Sequence, residues 1–306
     1  MSLISRIVFS ALMKTRTDYD PAQPKDYAAL RENELKQTAA LRIPKAVRIT
    51  QETLHDVPVE WVTSVNNAHQ QIIYYIHGGG FVTGSPEARR SFTTYIADKM
   101  GYNVAAVDYR LAPEHPFPAG LEDCIAVYQG LLETHSARDI AIVGESAGGN
   151  LVLAVLLALK ERGIELPVCA QVIAPTVQYD RELPSYTKNC SSDCIVTNLS
   201  DEVCDVYVGS HEPDVLKNPL LAPLYGDYRN CPPIDIWAST TEVLADDSKL
   251  LYRKLKKDGV ETTIFMRKNM MHTYIIVPFF PESKKDLKRM QQKLQKRFKA
   301  GACTGF

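Results

Sequence analysis

Apolar positions follow two different periods along this chain. Within the first 14 residues they recur at helical spacing, which predicts an amphipathic helix with one apolar face. We expect that face to pack on the body of the protein, where it could also cover a substrate; attachment to a membrane surface is the alternative. A second helix is predicted over about residues 24–40, beginning at Pro24.

From residue 57 onward, short apolar runs alternate with helical stretches. The runs typical of β-strands are VPVEWVT, IIYYIH, NVAAVDY, DIAIVG, VCAQVIAP, PIDIWAS and TTIFMR. Several are apolar on both faces, as central parallel strands between two helix layers are. The pattern predicts an α/β fold with an open, mostly parallel sheet flanked by helices, and places the ligand site beyond the carboxyl ends of the strands.

Two segments stand outside this alternation. Residues 181–217 show no strand pattern and are predicted to be an insertion with a short helix near residues 200–208. Near the end, Lys284–Lys299 is predicted to be a basic helix that packs through one apolar stripe, formed by Leu287, Met290, Leu294 and Phe298. A surface for nucleic acid or anionic lipid is the alternative for this helix.

Composition and charge exclude several classes of protein. The 306 residues are 45% hydrophobic and 23% charged, which excludes a disordered or collagen-like chain and allows two domains or one large domain with added segments. With 35 basic and 36 acidic residues, the chain has no overall field that would favour nucleic acid. Arg6 interrupts the apolar start and no cleavage site follows, so we expect no export signal.

Cysteine spacing and run lengths bear on compartment and membrane attachment. The seven cysteines are scattered without paired CxxC spacing, so they predict reduced thiols rather than a zinc ribbon. No uncharged apolar run reaches the roughly 18 residues that span a bilayer. We therefore expect a cytoplasmic protein with no integral membrane segment.

The segment GESAGGN at residues 144–150 lies between the predicted strand DIAIV and the apolar helix LVLAVLLALK. At the apex of such a strand–turn–helix, the Ser146 hydroxyl projects clear of the sheet, and glycines are needed where strand and helix come close. The sequence therefore predicts Ser146 as a nucleophile. A plain glycine-rich turn is the alternative.

A second glycine cluster, HGGGF at residues 77–81, follows the predicted strand IIYYI. Its uncovered backbone N–H groups can bind the oxyanion that forms when an acyl carbon is attacked. We predict an oxyanion hole built from the amides of Gly79, Gly80 and Ala147. A phosphate cradle is disfavoured because neither G-x-G-x-x-G nor the Walker pattern is present.

Three motifs in this order, HGGGF, DYRLAPEHPFPA at residues 108–119 and GESAGGN, closely resemble the hormone-sensitive-lipase branch of the α/β-hydrolase superfamily, which contains bacterial carboxylesterases and acetyl esterases. The resemblance extends over roughly residues 60–280. In that family the variable parts form a cap over the site. The resemblance thus implies an α/β-hydrolase catalytic domain at 46–180 and 218–306, a helical N-terminal cap segment at 1–45 and a cap insertion at 181–217.

The family supplies a base and an acid for its serine in the order serine, acid, histidine. Of the seven histidines, only His272 follows the last predicted strand, where the family places its base. The family often has an aspartate at the acid position, but alignment on the acidic pair at residues 246–247 puts Glu242 there. Asp246 is the alternative acid.

Other polar and aromatic residues receive supporting roles. We expect the polar side chains of the middle motif to form a network that supports the oxyanion loop: Asp108, Arg110, Glu114 and His115. Glu145 is expected to support the nucleophile, and His77 to fix its loop. Three aromatic residues are candidates for lining the substrate pocket: Phe81, Tyr186 and Tyr207.

Together these features predict a serine carboxylic-ester hydrolase acting on small-molecule esters with short acyl chains through an acyl-enzyme. Hydrolysis of an amide such as an arylformamide, or of a lactone, would use the same groups. A receptor-like binding module is the non-enzymatic alternative. The chemistry needs no metal or organic cofactor, and a homodimer is left open.

Overall fold

A single eight-stranded sheet organises the chain. The computed structural model describes residues 1–16, 20–23, 25–39, 42–67, 69–179, 182–196 and 199–303. The strands are β1 Val47–Leu54, β2 Val57–Ser64, β3 Ile72–Ile76, β4 Asn103–Val107, β5 Ile140–Glu145, β6 Cys169–Ile173, β7 Ile234–Ser239 and β8 Thr262–Arg267. Their order across the sheet is β1-β2-β4-β3-β5-β6-β7-β8. Strand β2 runs antiparallel to both neighbours, and the other pairs are parallel.

Helices connect and cover these strands. The α-helices are α1 Leu3–Thr15, α2 Tyr27–Ala39, α3 Arg90–Tyr95, α4 Ala119–Leu132, α5 Ala147–Glu161, α6 Pro184–Lys188, α7 Leu199–Glu202, α8 Pro213–Leu216, α9 Ala245–Lys257 and α10 Pro281–Cys303. Helix α7 continues as a π-helix over Val203–Val208, which corresponds to the predicted short helix.

The predicted mostly parallel sheet and all seven predicted strand runs are confirmed. Strand β1 was not predicted. Its centre is polar and exposed because it is the sheet edge, so alternation is weak there. It is joined to β2 by a two-residue turn at His55 and Asp56, both with positive φ; this turn lacks the usual Asn-Gly or Asp-Gly signal.

Two apolar layers cover the two faces of the sheet. Along β3, Tyr74 and Ile76 pack on the first layer, while Ile73 and Tyr75 pack on the second. The predicted stripe of α10 is buried against the second layer, with Leu287 fully covered. This confirms the prediction that α10 packs on the protein through its apolar stripe.

Helix α1 confirms the predicted amphipathic helix, but only part of its apolar face packs on the body. Four side chains contact the second layer, Val8, Phe9, Leu12 and Met13, while Leu3, Ile4 and Ile7 are exposed. Helix α2 begins at Tyr27, where the Asp26 side chain accepts a hydrogen bond from Ala29 N at 2.9 Å. The predicted start at Pro24 and end at residue 40 lie outside the described residues. Over the described part of the chain, no helix is both long enough and apolar enough to cross a membrane.

Candidate active site

Ser146 lies at a sharp turn between β5 and α5. Its φ of 56° and ψ of −120° are outside the regions that L-residues usually adopt. The turn is held by a hydrogen bond from Ser146 N to Ile173 O at 2.8 Å and by the start of α5. This is the strand–turn–helix geometry expected of a nucleophile elbow, the arrangement that the GESAGGN segment predicts.

The structure brings His272 to Ser146 across 126 positions of sequence. His272 Nε2 lies 2.9 Å from Ser146 Oγ, and both residues are buried. They meet because the loops after β5 and β8 leave the same carboxyl edge of the sheet. The distance allows a proton to pass directly from the hydroxyl to the imidazole.

Glu242 occupies the other side of the imidazole. Its Oε2 lies 2.8 Å from His272 Nδ1, and its Oε1 accepts a hydrogen bond from Ser239 N at 2.7 Å. The alternative acid, Asp246, instead accepts hydrogen bonds from Ser185 N and Lys249 Nζ. Of these two carboxylates, Glu242 is therefore the one placed to orient the histidine. Although a glutamate side chain is longer than that of the aspartate common in the family, it lies within hydrogen-bond distance of the ring.

A buried carboxylate that the sequence did not single out supports the acid loop. Asp193 Oδ2 accepts a hydrogen bond from Val243 N at 2.8 Å, and the Asn189 amide donates to the Glu242 carbonyl at 2.9 Å. From α1's end, Arg16 donates to the Asp193 carbonyl at 2.8 Å. The loop around Asp193 is thus fastened both to the acid loop and to the N-terminal segment.

The charges around His272 favour its protonated form. Burial opposes protonation, but the hydrogen bond with Glu242, its charge and the nearby Asp193 carboxylate outweigh burial and raise the pKa of His272 above its usual value. Burial also raises the pKa of Glu242, while its contact with His272 acts in the opposite direction. The imidazole can therefore accept a proton and hold it beside the carboxylate.

The HGGGF loop follows β3, next to β5 in the sheet. Gly79 has a φ of 127°, and a Cβ there would meet Thr83 O at 2.2 Å, so only glycine fits. Gly79 and Gly80 line one cavity together with Ser146 and His272. Ala147 does not line it; its N–H belongs to the first turn of α5, where amides lack partners within the helix.

His77 takes no part in this cavity. Its Nδ1 lies 2.9 Å from Gly78 O and its ring stacks on Tyr109. Burial lowers the pKa of His77 to about 3, which keeps the ring neutral. These contacts fit the predicted role of fixing the loop.

The cavity measures about 760 Å³ and is lined by both apolar and polar side chains. The apolar ones include Val8, Leu12, Ile195, Val196, Val277 and Phe279. The polar ones include Lys25, Asn33, Glu34, Gln37 and Glu202. Both α1 and α2 therefore contribute to the cavity, as does the segment predicted as an insertion.

The three aromatic residues predicted for the pocket are not among its lining residues. Phe81 and Tyr207 stack on each other with ring centres 4.0 Å apart, and both are buried in the core. The prediction for these side chains was wrong because an aromatic residue near a motif packs equally well beneath the loop as beside the substrate. Val8 lies on the N-terminal helix whose apolar face was expected to pack and to cover a substrate, whereas no sequence signal marked Phe279 as a pocket residue.

The predicted support network for the oxyanion loop is only partly as expected. Arg110 instead pairs with Asp123, at 2.7 Å. Glu114 does act near the loop, since it binds Arg31, which in turn donates to Val82 O at 2.7 Å. Glu145 accepts hydrogen bonds from Tyr75 and Arg89, in agreement with its predicted supporting role.

Among the described residues, no group of three His, Cys, Asp or Glu side chains is arranged to hold a metal ion.

Comparisons with known proteins identify relatives of this chain. A family model described as the alpha/beta hydrolase fold matches residues 73–276. An acetyl-hydrolase of Streptomyces hygroscopicus is 32% identical over 76% of this chain and 78% of its own length. A carboxylesterase of Mycobacterium tuberculosis is 30% identical over 72% of each chain.

Solved structures agree as well. The crystal structure of an esterase from the bacterial hormone-sensitive lipase family superposes with a TM-score of 0.89 at 30% identity, covering 97% of this chain and 99% of that one. The predicted fold and family resemblance are thereby confirmed. This chain belongs to the α/β-hydrolase fold family, in its hormone-sensitive-lipase branch.

Proposed function

We propose that this chain is a serine hydrolase of carboxylic esters with short acyl groups. The observation that carries the proposal is the unbroken hydrogen-bond chain from Glu242 through His272 to Ser146, which ends in a cavity beside Gly79 and Gly80. A nucleophile, a base, an orienting acid and a set of backbone N–H donors are the complete requirement for acyl transfer. The names of the relatives support an ester as the acyl donor.

The proposed reaction has two halves. His272 Nε2 accepts the hydroxyl proton as Ser146 Oγ bonds to the ester carbonyl carbon, while Glu242 stabilises the imidazolium. The amides of Gly79, Gly80 and Ala147 stabilise the oxyanion. As the tetrahedral intermediate collapses, the C–O bond to the alcohol breaks and His272 returns the proton to the alcohol.

Water completes the cycle in the second half. It attacks the acyl-enzyme and gives a proton to His272, which passes it back to Ser146 Oγ as the acid is released. No electron transfer or further reactant is needed. The preference for short acyl chains is supported by the acetyl-hydrolase among the relatives.

The division of the chain into a cap and a catalytic domain is part of the same proposal. We assign residues 1–45 and 181–217 to a cap over a catalytic domain at 46–180 and 218–306, since α1, α2 and Glu202 contribute to the cavity. A cytoplasmic location is supported by the cysteines, which are scattered along the sequence without paired CxxC spacing. A homodimer stays a prediction.

Two other functions use the same residues. Hydrolysis of amides or lactones needs the same nucleophile and base, so substrates of these classes belong in the first assays. A receptor-like module needs no base, and the contact of 2.9 Å between His272 and Ser146 argues against it.

The first test is the initial rate on p-nitrophenyl esters from acetate to dodecanoate, measured for the wild type and Ser146→Ala. We expect acetate to hexanoate to be hydrolysed fastest, and the substitution to remove at least about 99.9% of the activity. Faster hydrolysis of dodecanoate than of butyrate would contradict the short-chain assignment. No hydrolysis by the wild type would favour the alternative functions.

A further inference from the structure

Two side chains of α2 bind the oxyanion loop, the segment 77–84 that begins with the HGGGF motif. Glu34 Oε2 accepts a hydrogen bond from Gly84 N at 2.9 Å. One turn earlier, Arg31 donates through Nε to Val82 O at 2.7 Å and through Nη2 to Ala112 O at 2.6 Å. Within the loop, the Gly79 carbonyl accepts hydrogen bonds from the backbone N–H groups of residues 82 and 83. These internal bonds involve other groups than Gly84 N and Val82 O, which α2 binds.

Glu34 also begins a chain of charged groups that leads to the nucleophile. Its Oε1 lies 2.5 Å from Arg89 Nη1, and Arg89 Nε donates to Glu145 Oε1 at 2.8 Å. Glu145 directly precedes Ser146 and has only 2% of its side chain exposed. Tyr75 completes the chain with a hydrogen bond to Glu145 Oε2 at 2.7 Å.

The loop and the nucleophile turn are in direct contact at the other end. A Cβ on Gly78 would meet Glu145 O at 2.4 Å and Ser146 Cβ at 3.0 Å. The loop that carries the amides of Gly79 and Gly80 is therefore held at Gly78 by the turn that carries Ser146, and at Val82 and Gly84 by α2. A small rotation of this loop would move the amides out of line with the oxyanion, whose stabilisation depends steeply on donor position.

We propose that Glu34 is a positioning residue for hydrolysis, which sets the oxyanion loop by bridging Gly84 N and the Arg89 guanidinium. The inference rests on the proposed ester hydrolase function. It makes α2 part of the machinery that stabilises the transition state, in addition to a wall of the cavity. A half-buried carboxylate that accepts hydrogen bonds from both partners is suited to this because charge-assisted bonds are short and directional.

The proposal separates transition-state stabilisation from substrate binding. The oxyanion forms only as the ester is attacked, so a displaced loop lowers kcat and leaves KM nearly unchanged. A residue that merely shaped the cavity would change KM instead. An inhibitor that forms a tetrahedral adduct with serine, such as a short-chain trifluoromethyl ketone, reports on the same loop without turnover.

The test measures kcat and KM for p-nitrophenyl butyrate, and Ki for such a ketone, in Glu34→Gln. The amide keeps the shape of the side chain but loses the charge that faces Arg89, so we expect kcat to fall about tenfold, KM to change less than about twofold, and Ki to rise with the loss of kcat. The matched control is Glu32→Gln on the exposed side of α2, where Glu32 pairs with Lys36. It should behave as the wild type.

A second variant tests the same loop from the neighbouring turn. Arg31→Lys keeps the positive charge but cannot reach Val82 O, Ala112 O and Glu114 together, so it should also lower kcat with little change in KM. Titration of Ser146 with an organophosphate gives kcat per competent site, which removes any effect of partial unfolding.

The inference would be overturned if Glu34→Gln left kcat unchanged, or if it raised KM alone and did not alter Ki. Either result would leave the proposed function standing. The proposed function fails separately, if the wild type hydrolyses none of the esters, and the inference then falls with it.

Discussion

At the scale of single residues, the site combines strain with burial. Ser146 is held at φ 56°, a conformation that costs about 1–3 kcal/mol and persists only because the sheet and α5 determine it. Glu242 is completely buried, so its charge is compensated by His272 and the Ser239 amide rather than by water. Such groups respond strongly to small chemical changes.

Removing the charge of Glu242 should affect both rate and pH dependence. In the wild type, only the neutral imidazole accepts a proton; its raised pKa therefore places the acid limb of kcat/KM above pH 6.5, the usual histidine value. Glu242→Gln removes the charge that does most to raise this pKa, so the acid limb of kcat/KM should move to lower pH. We expect kcat to fall about 100-fold or more, because an amide no longer fixes the required tautomer.

The control for this experiment is Asp246→Asn, measured over the same pH range. Asp246 contacts Ser185 and Lys249, not His272, so its activity should remain close to that of the wild type. Equal losses in both variants would speak against Glu242 as the orienting acid.

At the scale of elements, the meeting point of β3, β5 and α5 leaves no free volume. A Cβ on Gly148, in the first turn of α5, would meet Ile76 O at 2.2 Å and His77 O at 2.5 Å. Both contacts are with backbone, which cannot turn aside as a flexible side chain can. Close packing here is what brings the elbow against the oxyanion loop.

Gly148→Ala should therefore be strongly destabilising. We expect the free energy of unfolding to fall by about 3 kcal/mol or more, as for other overpacked core positions, when measured by urea denaturation. The matched substitution is Gly163→Ala, where φ is 66° but nothing lies within 4 Å of the new Cβ. It should cost only about 1–2 kcal/mol of left-handed strain. Similar losses at the two sites would show that sterics at Gly148 are not limiting.

At the scale of the whole molecule, a buried carboxyl group joins helix α9 to the segment that follows β6. Asp247, in the first turn of α9, accepts a hydrogen bond from Val177 N at 3.1 Å. Burial raises the pKa of Asp247 to about 7. The folded protein thus binds a proton at this carboxyl more strongly than the unfolded chain, whose aspartates titrate near pH 4.

The sign of the stability effect follows from this difference. Because the raised pKa belongs to the folded state, the contribution of Asp247 to stability is lost as pH rises from about 4 to 7. Asp247→Asn, which stays neutral, should gain roughly 2–3 kcal/mol on the wild type between pH 5 and pH 8. Urea denaturation at the two pH values measures the change. A difference that does not vary with pH would contradict the raised pKa.

The sequence by itself determined the local features of this protein. Seven strands, the fold class, the elbow at Ser146 and the glycine loop could be predicted because each depends on a short period or on residues within one turn. His272 and Glu242 could be placed through the family resemblance, and their contacts in the structure agree with that placement.

Only the tertiary structure decided which distant residues meet. Glu34 reaches Gly84 across 50 positions, and Asp193 reaches Val243 across another 50. Edge strand β1 and the apolar cavity lining from α1 also depended on packing. A glutamate on a surface helix has the same local pattern whether it faces water or a catalytic loop, because its role is set by partners brought near through the packing of elements far apart in sequence.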